Sequence, residues 1–219
     1  MSNLVFDRFA STLPEGEWLN IDYRMGMDLS DDNPDLTIWD ITLLRCRESA
    51  FGDVESHPVA VAKFVVADSD NLDEWDHRNV YAAFDAYSES TETVASATLH
   101  HWTKNSRMVI VDEVTVEPEY RGHGLGPMLV TEALTKLGIH RMQALVLLQS
   151  GSFDHENMTP EEEVEAAEVI SRSWARAGFT RVDPLLPGNF SIMKAEEISV
   201  KETESRVMAH LDKAVMVAA

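Results

Sequence analysis

Three glycines stand within five positions of the segment "YRGHGLGPML", residues 120 to 129. The segment follows an apolar, strand-like run and precedes a helix-like run. Glycine lets a backbone turn tightly and lets a ligand approach closely, and successive N–H groups at a helix start form a concave site for anions. These residues therefore predict a strand, a turn and a helix start that together bind a phosphate group.

Two common phosphate-binding loops do not fit the spacing of these glycines. A dinucleotide fingerprint needs G-x-G-x-x-G, but counting from Gly122 the third glycine falls on Pro127, and no acidic residue ends the following strand. A nucleotide P-loop needs a lysine and a hydroxyl residue after its last glycine, and neither follows Gly126. Both loop types are excluded by the spacing.

The spacing that remains is Arg121-x-x-Gly124-x-Gly126 after "V-x-P-E-Y". It closely resembles the pyrophosphate-binding motif of the GNAT superfamily of N-acetyltransferases, which use acetyl-CoA. The longer stretch "VTVEPEYRGHGLG" resembles that family's signature from its fourth strand into its central helix. A second resemblance is "WARAGF", residues 174–179, where the family ends its next helix. The two motifs extend the resemblance over residues 105–195.

The resemblance implies an α/β (α+β) fold: a mixed, mostly antiparallel twisted sheet flanked by helices, with a parallel strand pair splayed around the CoA site. It implies one acetyltransferase domain over residues 1–195, followed by an amphipathic helical extension over residues 196–219. The implied activity is metal-free transfer of an acetyl group from acetyl-CoA to a primary amine of a small molecule or peptide. The alternative is a protein of the same fold that binds acetyl-CoA or CoA without catalysis.

The resemblance also assigns roles to the loop and to the strand before it. The loop amides and the helix start would hold the CoA pyrophosphate, and the strand backbone would pair with the pantetheine arm. Arg121 would contact a phosphate or form a surface salt bridge, and His123 would fill the loop facing solvent. The predicted cofactor-binding residues are Val114, Thr115, Val116, Arg121, Gly122, His123, Gly124, Leu125, Gly126, Pro127 and Trp174.

Acyl transfer to an amine needs a base, because the amine is protonated near neutral pH. Asp112 and Glu113 lie on the strand that enters the motif, where the family often places a carboxylate facing the acceptor. Strand alternation sends them to opposite faces, so without a bulge only one can point into the cleft. Glu113 is favoured, and His155 and Glu156, in the loop after "ALVLLQS", are alternatives.

One position departs from the family's pattern. Many relatives place a tyrosine four residues before the glycine of the Gly-Phe pair, as the acid that protonates the CoA thiolate. This chain has Trp174 there, and an indole N–H is far too weak an acid. Trp174 is predicted to pack against CoA or against the core. No other tyrosine replaces it in sequence; the four are Tyr23, Tyr81, Tyr87 and Tyr120.

Apolar patterns predict the elements that must position these residues. The segments "DLTIWDITLLRC" and "HPVAVAKFVVAD" predict a pair of strands, and a helical stretch over residues 72–98 follows them. "SRMVIVDEVTV" and "ALVLLQS" predict strands on either side of a helix from Pro127 to Gly138. "PEEEVEAAEVISRSWARAG" predicts a further helix. Two short strands are predicted at Phe179–Val182 and Phe190–Lys194.

Composition narrows the class of partner. Acidic side chains number 38 against 18 basic ones, a formal net charge of −20, and no basic cluster exists that could neutralise a nucleic-acid backbone. No run has the length of a membrane-spanning helix, and the first residues lack the basic and apolar parts of a signal peptide. We expect an acidic cytoplasmic protein that binds neither nucleic acid nor membrane.

Two further expectations concern metals and assembly. The single cysteine, Cys46, offers no ligand spacing, and no H-E-x-x-H pair of ligands occurs, so a zinc site or a metal-dependent hydrolase is disfavoured. The last 24 residues carry Val207, Leu211 and Val215 at helical spacing. This helix is expected to pack on the domain or on a second subunit, as in a homodimer, and a frayed tail is the alternative.

Overall fold

The structure is a computed structural model. It describes residues 3–27, 36–67, 84, 87–98, 107–139, 144–150, 158–181, 191–195 and 199–218. Within these residues the chain forms one seven-stranded sheet in the order β1-β2-β3-β4-β5-β7-β6. The strands are β1 (Glu17–Met27), β2 (Leu36–Glu48), β3 (Val54–Ala67), β4 (Arg107–Val116), β5 (Ala144–Ser150), β6 (Thr180–Arg181) and β7 (Ser191–Ala195).

The sheet is mixed and mostly antiparallel, as predicted. The first four strands pair antiparallel in sequence order, β4 and β5 pair parallel, and β7 pairs antiparallel with both β5 and β6. The predicted pairing of β2 with β3 is confirmed. Strand β1 has no counterpart among the predictions. Its apolar residues Leu19, Ile21 and Tyr23 alternate with polar ones, so it buries only one face at the sheet edge.

Five helices flank the sheet in the described part of the chain: α1 (Leu4–Ala10), α2 (Glu89–Thr98), α3 (Leu125–Lys136), α4 (Pro160–Arg176) and α5 (Val200–Ala218). Asn3 caps α1, and Thr159 with Glu162 forms a capping box at the start of α4. None of the described helices has both the length and the apolarity of a transmembrane segment.

The helices divide between two faces of the sheet. The main core joins residues of α1, α3 and α4 to one face, through side chains such as Phe9, Leu129 and Trp174. Helix α5 packs outside α1 and α3, where Val207 forms one apolar cluster with Val5 and Met128. The opposite face has a smaller core with α2 and Phe84. We call these the α3 face and the α2 face.

Helix boundaries agree with the sequence patterns to within a few residues. Helix α3 begins two residues before the predicted Pro127, because Gly124 takes the N-cap position. It ends as predicted before Gly138, whose φ of +68° allows the chain to turn away. The predicted helix over residues 72–98 is described only at Phe84 and from Tyr87 onward, and the rest of this prediction lies outside the described residues.

Candidate active site

A β-bulge decides which way the two candidate carboxylates point. Phe64 of β3 pairs with Val111, but the preceding residue Lys63 pairs with Glu113, so Asp112 is an extra residue in β4. Val111 and Val114 both pack into the core on the α3 face. The side chains of Asp112 and Glu113, which lie between these valines, therefore both point to the α2 face. The expectation that they diverge holds only for a regular strand, and this strand is not regular.

The surroundings of Asp112 differ from those of its neighbour. The hydroxyl of Tyr87 donates a hydrogen bond of 3.3 Å to Oδ2 of Asp112. Burial raises the pKa of the Asp112 carboxyl above its ordinary value, and the charge of Glu113 raises it further, while Lys63 and the Tyr87 hydrogen bond act to lower it. Asp112 is thus half-buried, held in place by a donor and easier to protonate than a solvent-exposed aspartate.

Glu113 is exposed. Its carboxylate accepts a 3.0 Å hydrogen bond from the Thr115 hydroxyl, two residues along the same strand face. Water therefore surrounds most of the Glu113 side chain, and the hydrogen bond that it accepts comes from a neighbouring hydroxyl on its own strand. Of the two predicted carboxylates, Asp112 has the more constrained environment.

Beyond Val111, β4 loses its parallel partner. The pairing with β5 runs from Arg107 opposite Ala144 to Val111 opposite Leu148, whereas the pairing with β3 continues to Val116. Within the described residues, one edge of β4 therefore stands open over residues 112–116. This opening lies where the resemblance implies a splayed strand pair.

The open edge presents the backbone of two predicted residues. Glu117 N donates to Val59 O at 3.0 Å, so this position is a hydrogen-bonded pair with β3. Because such pairs alternate along antiparallel strands, the N–H and C=O groups of Val114 and Val116 point away from β3, toward the opening. Thr115, between them, turns its backbone groups toward β3.

The glycine loop follows directly. A short 3-10 turn at Pro118–Tyr120 leads to Gly122 and Gly124, whose φ angles of +83° and +72° lie in the left-handed region that favours glycine. Gly124 is the N-cap of α3, with no side-chain cap, and the first turn of α3 has no acidic residue. The N–H groups at this helix start lack carbonyl partners within the helix, which makes them donors for an anion.

Gly126 brings the loop and the open edge together. A Cβ atom built on Gly126 would lie 3.5 Å from Cγ1 of Val114 and 3.6 Å from Cγ2 of Val116. These are ordinary van der Waals distances, so the start of α3 lies directly against the end of β4. Leu125 and Pro127 are buried, and Pro127 has no N–H, so of these two only Leu125 offers a donor.

Two side chains of the loop make contacts that the sequence did not indicate. Nε of Arg121 donates to the backbone oxygen of Val116 at 3.0 Å, so the exposed arginine joins the loop to the open edge of β4. His123 is half-buried, with its ring 5.2 Å from that of Phe9, rather than solvent-facing as predicted. The reason is α1, which places Phe9 beneath the loop.

Tyr120 attaches the start of the loop to the first strands. Its hydroxyl accepts a 3.0 Å hydrogen bond from Nη1 of Arg45, and Arg45 also forms an ion pair with Glu17. The Tyr120 ring meets the edge of Phe9 at 5.6 Å. A cavity of about 440 Å³ lies beside this group, on the β1–β3 side of Tyr120 rather than in the opening between β4 and β5.

Trp174 lies in the core. It is 7% exposed, and its ring meets Phe179 edge to face with 5.7 Å between centroids. Core packing is one of its two predicted roles. Tyr87, on the other hand, reaches Asp112 on β4 from just before α2, a contact that no sequence spacing indicated. Tyr81, His155 and Glu156 lie outside the described residues.

The profile of the Acetyltransferase (GNAT) family matches residues 44–153, half of the 219-residue chain. The chain belongs to the GNAT acetyltransferase family. The match spans β4, the glycine loop, α3 and β5, and it confirms the resemblance found in the motifs. Acetyl transfer is the chemistry of this family. Within the described residues, no group of three or more histidine, cysteine or carboxylate side chains could hold a metal ion.

Solved structures of acetyltransferases resemble the chain distantly. Arylalkylamine N-acetyltransferase 2 from Aedes aegypti is 13% identical, with 72% of each chain covered and a TM-score of 0.38. NAA60 from Arabidopsis thaliana, in complex with acetyl-CoA, is 12% identical over 80% of this chain and 97% of its own, with a TM-score of 0.37. Nourseothricin acetyltransferase is 15% identical over 86% and 92%, with a TM-score of 0.28. No curated protein sequence matches significantly.

Proposed function

We propose that the chain is an acetyl-CoA-dependent N-acetyltransferase that acts on a primary amine of a small molecule or peptide. One observation carries the proposal: the uncapped, glycine-rich start of α3 lies directly against the open edge of β4. The first feature suits a pyrophosphate and the second suits an extended amide-containing arm. Together with membership of an acetyltransferase family, this juxtaposition favours acetyl-CoA as the co-substrate.

The residues present fit that cofactor. The loop N–H groups from Gly122 to Gly126 would hold the pyrophosphate, and no acidic side chain in the first turn of α3 would repel it. The N–H and C=O groups of Val114 and Val116 would pair with the pantetheine arm. When bound, acetyl-CoA supplies the acetyl group as an activated thioester. An N–H near Val116 would stabilise negative charge that develops on the carbonyl oxygen.

Asp112 is the base that we assign to the acceptor amine. It stands at the first position of β4 beyond the last β5 pair, on the α2 face, with its carboxylate oriented by Tyr87. A raised pKa makes its carboxylate a better proton acceptor than that of an ordinary aspartate. Glu113, which the sequence favoured, is exposed, and the hydroxyl that donates to it comes from Thr115 on its own strand. We place it at the rim of the acceptor site.

The second candidate is a protein that binds acetyl-CoA without transferring the acetyl group. The observation that favours it is the burial of Trp174, which leaves the family's usual acid position inside the core. In the catalytic proposal, the departing thiolate takes its proton from water or from another hydroxyl. The two candidates predict the same cofactor binding and differ only in turnover.

Thiol release separates the two candidates. Purified protein is incubated with acetyl-CoA and a panel of small amines, aminated antibiotics, amino acids and peptide N-termini, and free CoA is measured with a thiol reagent. Amine-dependent release that Asp112→Asn abolishes, with unchanged acetyl-CoA binding, supports the enzyme. Release that stays at the hydrolysis background for every amine, despite tight acetyl-CoA binding, supports the non-catalytic candidate.

A further inference from the structure

The left-handed Gly124 of the cofactor loop touches a helix that lies outside the family match. A Cβ atom built on Gly124 would overlap Cγ1 of Val207, in the second turn of α5. A Cβ atom built on Gly122 would instead lie in open space, with no neighbouring atom within 4 Å. The conformation of Gly124 alone favours glycine, but Val207 also leaves no room for any other residue.

Val207 is itself held from three sides. It is 1% exposed and packs in a cluster with Val5 of α1 and Met128 of α3. One turn earlier, the buried Thr203 lies 3.4 Å from the hydroxyl of Thr131 in α3. Two further contacts join α5 to α1: the backbone N–H of Leu4 donates to Glu204, and Nη1 of Arg8 donates to Asp212 at 2.6 Å.

We infer that Val207 is a positioning residue for acetyl-CoA: α5 forms the back wall of the glycine loop, and Val207 holds Gly124 in the conformation that aims the loop N–H groups at the pyrophosphate. This inference rests on the proposed function of the loop. A preorganised set of donors binds an anion more tightly than a mobile set, because ordering the loop on binding costs free energy. The C-terminal helix would thus contribute to cofactor affinity without touching the cofactor.

The test measures acetyl-CoA affinity by calorimetry for a set of matched variants. Val207→Ala removes the contact with Gly124 and should raise Kd by about tenfold. Leu211→Ala truncates a neighbouring side chain of the same apolar cluster and should change Kd by less than about twofold. Val207→Ile keeps both γ carbons and should retain the affinity of the parent protein. Thermal melting of each variant sets a temperature at which all are folded.

A double-mutant cycle separates positioning from general stability. Gly124→Ala alone should weaken binding strongly, because its Cβ displaces Val207 and the loop. Adding Val207→Ala makes room for that Cβ, so the double variant should bind acetyl-CoA more tightly than Gly124→Ala alone. If the two losses simply add, Gly124 and Val207 act independently on the loop and the positioning role is contradicted.

Faster hydrogen exchange of the loop amides in Val207→Ala, but not in Leu211→Ala, gives an independent readout in the absence of cofactor. If the parent protein binds acetyl-CoA while Val207→Ala and Leu211→Ala affect Kd equally, the positioning role is overturned and the proposed function stands. If the parent protein does not bind acetyl-CoA, the proposed function itself is wrong and the inference falls with it.

Discussion

The two faces of β4 differ in what covers them. On the α3 face, Val109, Val111, Val114 and Val116 contact a core built from α1, α3 and α4, with α5 behind it. On the α2 face, Met108 and Ile110 are buried, but from Asp112 onward the side chains are polar and α2 no longer covers them fully. One strand thus carries a closed apolar face and a half-open polar face.

This difference matches the two tasks of an acetyltransferase. The closed face supports the glycine loop from several helices, which suits a cofactor that is the same in every reaction. The polar face leaves carboxylates near the opening of the sheet, which suits an acceptor that must enter and lose a proton. The bulge at Asp112 creates this difference between the faces, because it keeps Val114 and Val116 on the apolar face while it sends both acids to the other face.

The largest expected effect is on Asp112. Replacing it by asparagine keeps the size and removes the base, so kcat/KM for the best amine should fall about 100-fold or more, with acetyl-CoA affinity unchanged. Steady-state kinetics with thiol detection measures the loss. A loss confined to KM for the amine would mean that Asp112 binds the acceptor rather than taking its proton.

The contact between Tyr87 and Asp112 predicts a shift in the pH profile. The tyrosine hydrogen bond favours the ionised carboxylate and so lowers the Asp112 pKa. Tyr87→Phe removes that donor, so the Asp112 pKa should rise and the acid limb of kcat/KM should move to higher pH. Tyr23→Phe, at a tyrosine on the other face, is the control and should leave the limb in place. If the acid limb of the kcat/KM profile does not move in Tyr87→Phe, the assignment of Asp112 as base is contradicted.

A smaller effect is expected at the neighbouring carboxylate. Glu113→Gln removes a charge from an exposed side chain that accepts a hydrogen bond from the hydroxyl of Thr115. Because the negative charge of Glu113 raises the Asp112 pKa, its removal should move the acid limb slightly to lower pH. The value of kcat/KM at the pH optimum should change by less than about threefold. If Glu113→Gln lost as much activity as Asp112→Asn, Glu113 rather than Asp112 would be the better candidate for the base.

The sequence predicted the structure of the glycine loop and its flanking elements well, because that part of the chain is local. Gly122, Gly124 and Gly126 all lie within one turn and one helix start. Apolar periodicity predicted the flanking strand and helix. The surroundings of Asp112, by contrast, depend on distant residues. The bulge at Asp112 arises from its register with β3, and Tyr87 comes from 25 residues away. A strand pattern read alone contains no signal for either.

The same distinction applies to the two ends of the chain. The periodicity of Val207 and Leu211 predicted a C-terminal helix, and the structure contains α5. Which surface α5 covers depends on its fit against α1 and α3, so its contact with Gly124 could not be predicted. Strand β1 was missed because an edge strand with one buried face carries a weak apolar pattern.

Calorimetric titration with acetyl-CoA tests the central claim most directly, using the parent protein, Gly122→Asn and Gly122→Asp. Gly122 suits this test because a side chain there meets no neighbour, and asparagine and aspartate tolerate the left-handed conformation better than most residues. We predict saturable binding by the parent protein, modest weakening in Gly122→Asn, and a Kd about tenfold higher again in Gly122→Asp, whose carboxylate repels the pyrophosphate. Absence of binding by the parent protein at millimolar acetyl-CoA, or equal affinities of the two variants, would contradict the assignment of this loop to the cofactor.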